Sequence, residues 1–382
     1  MTFVAAVTWA SAWAVIWKVA AAVLVIAFMI LTHELGHYFA AKRVGIKVEQ
    51  FSIGHGPEIV GWDRGETRYS IKWVLVGGSV RIAGMNPEEE VPEEDLPRTY
   101  YRAPAWKRAV VILAGSFVHV VIAFILFYLV FWPVGHKELT GSNTIGGVQR
   151  EVQVTRTRSV PGPAYEAGLK KGDTIVSVAG RPTSDWKLLT RVIRRLPGRV
   201  VKVDFVRGGS ASGVSLKLLD VENTGIMGIT QSTRTVRSNP VAAVGQSFKA
   251  LGEVTAAFFK GIASLFSLGT LKMLIGITPR TVKGPRSVVG AAQLTYQAAE
   301  LGSAYLLFML GELFLFLAVF NLLPLPPLDG GHLLVIVVEK VFHKQVDVKT
   351  FAKVAWVVII VLSVVALRLA LMDILSPLKS PF

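Results

Sequence analysis

The chain has 382 residues, 52% of them hydrophobic and 18% charged, a composition that excludes one soluble domain and points to a membrane protein of several parts. Its formal charge of +15 comes without a basic run interleaved with aromatics. Of the 41 Lys and Arg, 23 are scattered between Lys137 and Arg286, which suits a protein beside anionic lipid and argues against a nucleic-acid partner. There are no cysteines, so thiolate metal sites and disulfides are excluded, and any metal must be held by histidine and carboxylate.

Residues 1–17 are uncharged and lack a basic leader, so no cleavable signal is expected. Trp9, Trp13 and Trp17 recur at spacing four, one stripe on a helix that suits a membrane interface or lipid-facing packing equally. The first span is predicted over about 13–41. Its apolar run 19–32 leads into His33-Glu34-Leu35-Gly36-His37, and 19–41 is 23 residues, enough to cross a bilayer. Ionisable groups at such depth cost a few kcal/mol each, so they mark function. A helix advances about 100° per residue, which stacks His33 and His37 one turn apart on one face, able to converge on one metal. Glu34 beside them is placed to act on a water held there.

Residues 51–57, FSIGHGP, read as turn-rich. Residues 69–76 and 79–83 read as two strands of a hairpin joined at Gly77-Gly78, apolar enough to dip into the membrane edge. Residues 87–97 read as an acidic, proline-bounded, mobile linker. The second span is predicted over 109–135, without a single Lys, Arg, Asp or Glu. It contains His119, either a third metal ligand or, the reading preferred, a hydrogen-bonded packing residue.

The pattern changes to soluble α/β over 141–232. The stretch PGPAYEAGLKKGDTIVSVAG at 161–180, with a short helix ending at Gly168 and a turn at Gly172-Asp173, resembles a circularly permuted bacterial PDZ domain. That resemblance implies a peptide groove at Gly225, Ile226, Met227, Gly228 and Ile229, with a helix over 184–196 as its other wall. Residues 233–300 read as amphipathic juxtamembrane linker helices. The third span is predicted over 301–323 and carries Glu312, read as a protonated packing residue ahead of a proton or substrate group. The fourth is predicted over 354–372.

Two histidines leave a zinc site short of its usual three protein ligands. Asp329 is the best third, an acid following a span on the Pro- and Gly-bent segment NLLPLPPLDGGH at 321–332. Lys42, Arg43 and Lys47 follow the first span, and Arg102, Lys107 and Arg108 precede the second. The positive-inside rule then places 42–108 in the cytoplasm and the N-terminus and 136–300 outside. Four spans deliver Asp329 to the side of His33 and His37; a further span over 261–277 would not.

Together, HELGH at 33–37, FSIGHGP at 51–57, VGGSVRIAG at 76–84 and NLLPLPPLDGGH at 321–332 resemble the site-2 proteases, intramembrane zinc metalloproteases, in their bacterial single-PDZ form. The resemblance implies a polytopic α-helical membrane protein with four transmembrane helices, a membrane-associated β-hairpin over 69–83 and an inserted extracytoplasmic α/β PDZ domain. It implies one Zn2+ per chain on His33, His37 and Asp329, with Glu34 as general base. Asn321, Gly77, Gly78, Pro324 and Pro326 would contact substrate. That substrate would be a single-span membrane protein, such as an anti-sigma factor or signal-peptide remnant, already trimmed by a site-1 protease, in the bacterial inner membrane. The sequence departs from the family where the second span commonly reads Ala-Gly-Pro with Asn two residues on; here Ala114-Gly115-Ser116 leads to His119. Phe316 also stands where an Asn is common. The rival readings are a catalytically inactive PDZ-containing membrane adaptor and a metal transporter; the complete His-Glu-His-Asp set argues against the first, and four spans without repeats against the second.

Overall fold

The computed structural model describes residues 9–85, 89–154, 159–265, 267–277, 287–343 and 346–375. Two compact units emerge, one of residues 1–134 and 238–382, the other of 135–237.

The first unit opens with α1 (Trp9–Val44), an apolar helix that Lys42 and Arg43 close at its carbonyl end, where cations are favoured. Gly45 follows at φ +80°, a left-handed stop that glycine tolerates. Two long strands succeed it, β1 (Val48–Arg64) and β2 (Thr67–Ile82). The expected hairpin over 69–83 is corrected here. Gly77-Gly78 is no turn; it lies inside β2, and the partner is β1, which the turn-rich reading of 51–57 had hidden. Gly54 and Gly56 take φ near +90°, so β1 bends without reversing. Residues 50–53 of β1 are thereby bordered on one side by 78–81 and on the other by 68–71. Residues 78–82 thus form an outer edge of the folded-up pair. At the sheet's bends Ile59, Trp62, Trp73, Val74 and Leu75 stand exposed.

The acidic stretch is also more ordered than expected. Glu93–Arg98 forms a 3-10 helix, tied down by Lys47 Nζ to Asp95 Oδ2 at 2.5 Å and by Arg98 to Glu66; residues 86–88 lie outside the described residues. Helix α2 (Ala105–Leu129) continues into a π turn at Val130–Val134.

The second unit is rich in short strands: β3 (His136–Leu139), β4 (Ile145–Val148), β5 (Glu151–Gln153), β6 (Ser159–Pro161), the turn α3 (Pro163–Glu166), β7 (Thr174–Val178), β8 (Arg181–Pro182), helix α4 (Trp186–Arg194), β9 (Val200–Arg207), β10 (Ser210–Lys217), β11 (Leu219–Val221), β12 (Thr224–Ile226), β13 (Ile229–Gln231) and β14 (Thr233–Val236). Its central sheet runs β10-β9-β7-β8, and β14 pairs back onto β3. Alternation along β9 buries Val201, Val203 and Phe205 against Leu189, Val192 and Ile193 of α4, one contiguous core. Asp185 caps α4 by accepting from Leu188 N–H at 2.8 Å.

The first unit resumes with α5 (Pro240–Leu265), α6 (Leu268–Leu274), α7 (Val288–Leu301), α8 (Ser303–Asn321), α9 (Asp329–Phe342) and α10 (Val348–Leu375). Among the described residues four helical stretches are long and apolar enough to span a membrane: Ala20–Val44, Ala105–Val134, Ser303–Asn321 and Lys349–Leu375. The pair α5 and α6, bent by 65°, makes up to five if counted as one span. Helix α5 packs through Ala250 and Val254 into a core with Phe127, Phe314 and Leu315, so its apolar side meets α2 and α8. Helices α1 and α2 touch backbone to backbone: a Cβ on Gly36 would fall 2.6 Å from Ala114 O.

Candidate metal centre

The helical spacing of His33 and His37 puts their imidazoles together, with Nε2 atoms 3.1 Å apart. Asp329 reaches both from the start of α9: its Oδ2 lies 3.0 Å from His33 Nε2 and 3.4 Å from His37 Nε2. His33 and His37 are buried and Asp329 is half-buried. The fit to one metal ion is testable on these edges. Four ligands at about 2.0–2.1 Å around a tetrahedral zinc stand about 3.3 Å from one another, and the three edges here bracket that value. The nitrogens and the carboxylate oxygen are also the donor types zinc takes.

Two of the three donors are aimed by what lies behind them. His37 Nδ1 donates to Val111 O of α2 at 2.8 Å, which leaves Nε2 as the free lone pair. Gly115 of α2 lies directly across: a Cβ there would fall 2.6 Å from His33 Cε1, 2.6 Å from His37 Nε2 and 2.7 Å from His33 Nε2. Only glycine leaves room for the pair. Asp329 is presented by a tight chain reversal, in which a Cβ on Gly330 would fall 2.2 Å from Leu323 O and one on Gly331 2.7 Å from Pro326 N. Beyond it, Leu333 and Ile336 of α9 pack with Val111 and Ile112. Glu339 receives Arg108 Nη1 at 2.8 Å, and both side chains are largely buried.

Glu34 points the other way from the histidines' contact with α2, towards β2. Its Oε2 accepts from Val80 N–H at 3.1 Å. Gly78 is buried against it, since a Cβ would lie 3.6 Å from Glu34 Cγ, while one on Gly77 would lie 2.7 Å from Ile30. The two glycines therefore let the strand edge lie close to α1 beside the acid. Asn321, the last residue of α8, brings Nδ2 to 3.3 Å from His33 Nε2. Pro326 is buried within the reversal and Pro324 is exposed.

His119 is brought to the site but outside the group of converging donors. It is fully buried, Nε2 lies 2.8 Å from Met29 O, and its ring centre is 5.0 Å from that of His33. The preferred packing reading thus meets a hydrogen-bonded histidine. Glu312 is half-buried on α8. Trp17 is exposed, and Trp9 and Trp13 side chains lie outside the described residues. In the second unit, Gly225, Met227 and Gly228 are buried and Ile226 and Ile229 half-buried. Helix α4 presses on this strand, with Ile193 O 2.2 Å from where a Gly225 Cβ would stand. Met227 O accepts from Ala164 N–H and Gly228 O from Gln149 N–H, both at 2.9 Å.

Sequence reasoning missed Gly115, Val111, Val80 and the Arg108–Glu339 pair. Gly115 alone left a signal, a small residue within an apolar span, where helices approach closely.

Comparison with known proteins bears on this constellation. The profile of Peptidase family M50 matches residues 21–366. Zinc metalloprotease Rip1 of Mycobacterium tuberculosis is 32% identical over 345 residues, covering 83% of this chain and 84% of that protein. Rip1 of Mycobacterium bovis shows the same identity and coverage, and Rip1 of Mycolicibacterium smegmatis is 30% identical over 344 residues. A match over nearly the whole chain, taking in the helices that bring two histidines and an aspartate together, leaves one conclusion: the chain belongs to peptidase family M50, the site-2 protease family of zinc metalloproteases.

Proposed function

We propose that this protein is an intramembrane endopeptidase that cleaves the spanning segment of a single-span membrane protein, with His33, His37 and Asp329 as its three zinc ligands and Glu34 as general base. The observation that carries the reading is the three-donor cluster within helices α1 and α9, with Glu34 one residue from His33 and facing a strand edge. Zinc bound there supplies Lewis acidity, lowering the pKa of a water and polarising the scissile carbonyl.

The chain's own residues do the rest. Glu34 takes the proton of the attacking water on its carboxylate and returns it to the leaving amide nitrogen. Asn321, at the rim beside His33, donates its amide N–H to the scissile carbonyl oxygen as charge develops. A helical substrate hides its carbonyls in i→i−4 bonds, so it must unwind, and the edge 78–82 offers backbone groups to receive it as an added strand. Gly77 and Gly78 bring that edge to Glu34, and the Pro324–Pro326 bend borders the entry. Exposed Trp62, Trp73, Val74 and Leu75 suit the bilayer edge, where a membrane-borne substrate arrives.

The unit 135–237 acts as a PDZ-type module that screens substrates by size or by a new C-terminus, its groove at Gly225, Ile226, Met227, Gly228 and Ile229. The basic flanks of the first two spans support an N-terminus and PDZ module outside the inner membrane, with the active site towards the cytoplasm. The substrate class that fits is a trimmed single-span protein such as an anti-sigma factor or signal-peptide remnant.

The test is Glu34→Gln in the full chain, co-expressed with a tagged single-span reporter. Cleavage is lost while the purified protein keeps one zinc. Undiminished cleavage overturns the proposal.

A further inference from the structure

We infer that His119 is a positioning residue for the metal centre, serving as the hydrogen-bond acceptor behind His33. The inference rests on the zinc-site reading above and deepens it.

Ligating imidazoles have two nitrogens, and the one not on the metal carries a hydrogen that needs an acceptor. For His37 that acceptor is present, Val111 O at 2.8 Å from Nδ1. His33 turns Nε2 to the cluster, towards Asp329 and His37. Its Nδ1 is buried and has no hydrogen-bond partner among the described residues. As a ligand His33 therefore holds a buried, unanswered Nδ1–H, and such an orphan costs about 1–3 kcal/mol.

His119 has the complementary gap. Its Nε2 lies 2.8 Å from Met29 O. A carbonyl oxygen only accepts, so Nε2 carries the hydrogen, and the neutral ring then presents a lone pair at Nδ1. That Nδ1 is likewise buried and without a partner among the described residues. The two rings stand 5.0 Å apart between centres, tilted by 46°. One orphan is a donor and the other an acceptor, on neighbouring rings. A small ring rotation or one bridging water pairs them, and both satisfy the same two atoms.

Met29, His33 and His119 then form one relay. The Met29 carbonyl fixes the His119 tautomer, His119 fixes the His33 tautomer, and His33 keeps Nε2 aimed at the metal. This gives the departure from the family pattern at 119 a use, because histidine supplies a donor on one side and an acceptor on the other.

The experiment uses the purified full chain, loaded with Zn2+ and challenged with a chelator. Loss of such an outer-shell partner typically costs 10–100-fold in metal affinity. His119→Leu, with neither donor nor acceptor, is expected to release zinc 10–100-fold more readily; His119→Asn, which has both, holds it within a few-fold of the parent. Loaded with Co2+, the leucine variant shows shifted visible absorption bands and the asparagine variant does not. If leucine prevents folding, His119→Gln against His119→Met decides: glutamine keeps zinc and methionine loses it. Equal zinc retention and equal cobalt spectra in the acceptor-bearing and acceptor-free variants overturn the inference. His37→Ala and Asp329→Ala run alongside. Zinc lost in these but unaffected at 119 refutes only the positioning role; zinc unaffected in all of them refutes the metal site.

Discussion

Gly115→Ala separates damage to the metal centre from damage to the fold. The added Cβ would stand 2.6 Å from His37 Nε2 and from His33 Cε1, whereas ordinary contact begins near 3.4 Å. Each imidazole must therefore retreat by about 0.8 Å, while zinc sites tolerate only about 0.2 Å in their ligand distances. The helix pair itself loses little, because overpacking by one methyl costs about 1–3 kcal/mol. The expected outcome is a protein that folds and melts within a few degrees of the parent but retains less than a tenth of its zinc through dialysis against chelator. Gly36→Ala is the contrast. Its Cβ would meet Ala114 O at 2.6 Å and Gly115 Cα at 2.9 Å, both backbone, so α1 and α2 must part. There melting temperature and zinc fall together. Metal content by atomic absorption and thermal unfolding in detergent read both variants. A Gly115→Ala protein that keeps one zinc against chelator would refute the argument that glycine is required to make room for the ligands.

Three further outcomes follow. Arg108→Ala strips the partner from Glu339, whose side chain is only 22% exposed; a loss of about 2 kcal/mol is expected in thermal unfolding, below the 3–5 kcal/mol of a fully buried pair, and Glu339→Gln costs less because the amide still accepts. Gly330→Ala would set a Cβ 2.2 Å from Leu323 O and 2.3 Å from Leu322 O, so the reversal opens and cleavage of the reporter falls with zinc content. In the second unit, the Arg207 guanidinium and the Lys170 N–H hold the buried Asp173 carboxyl below the usual aspartate range. A depressed folded-state value means that its stabilisation is present above the ordinary value of about 3.9 and lost as pH falls through the folded one. Hydrogen exchange in β7 and β9, corrected for intrinsic rates, should therefore rise more steeply below pH about 4 in the parent than in Asp173→Asn; equal slopes would count against the pair.

The convergence of His33, His37 and Asp329 was legible in the sequence because its signals are local or compositional. His33 and His37 announce themselves by helix period, and Asp329 by being an acid among prolines and glycines after a span. The strand pairing was not legible. Gly54, Gly56 and Gly77 each read as punctuation, yet at φ from +82° to +89° they bend long strands that continue through them. Whether glycine turns a chain or only bends it depends on the partner strand, which a local window does not contain. The support around the ligands was hidden for a related reason. Val111 is an unremarkable letter in an apolar helix, Gly115 and His119 stand out there only as a small and a polar residue, and the relation of all three to His33 and His37 exists only once α2 crosses α1.

The crossing also explains why the site calls for a divalent cation. Two imidazoles acting as ligands are neutral, whereas Asp329 and Glu34, ionised for their proposed roles, bring two negative charges to a region walled by apolar helices. Burying such charges unpaired costs several kcal/mol each. The nearest described donor to the carboxylates, Val80 N–H on Glu34, offers a hydrogen bond but no fixed positive charge, and the imidazoles turn lone pairs rather than hydrogens towards Asp329. Arg108 is committed to Glu339 on the next helix face. One dication balances the sum. A zinc ion held by His33, His37 and Asp329 would therefore be counter-charge as well as chemistry, offsetting the two carboxylates where apolar helices surround them.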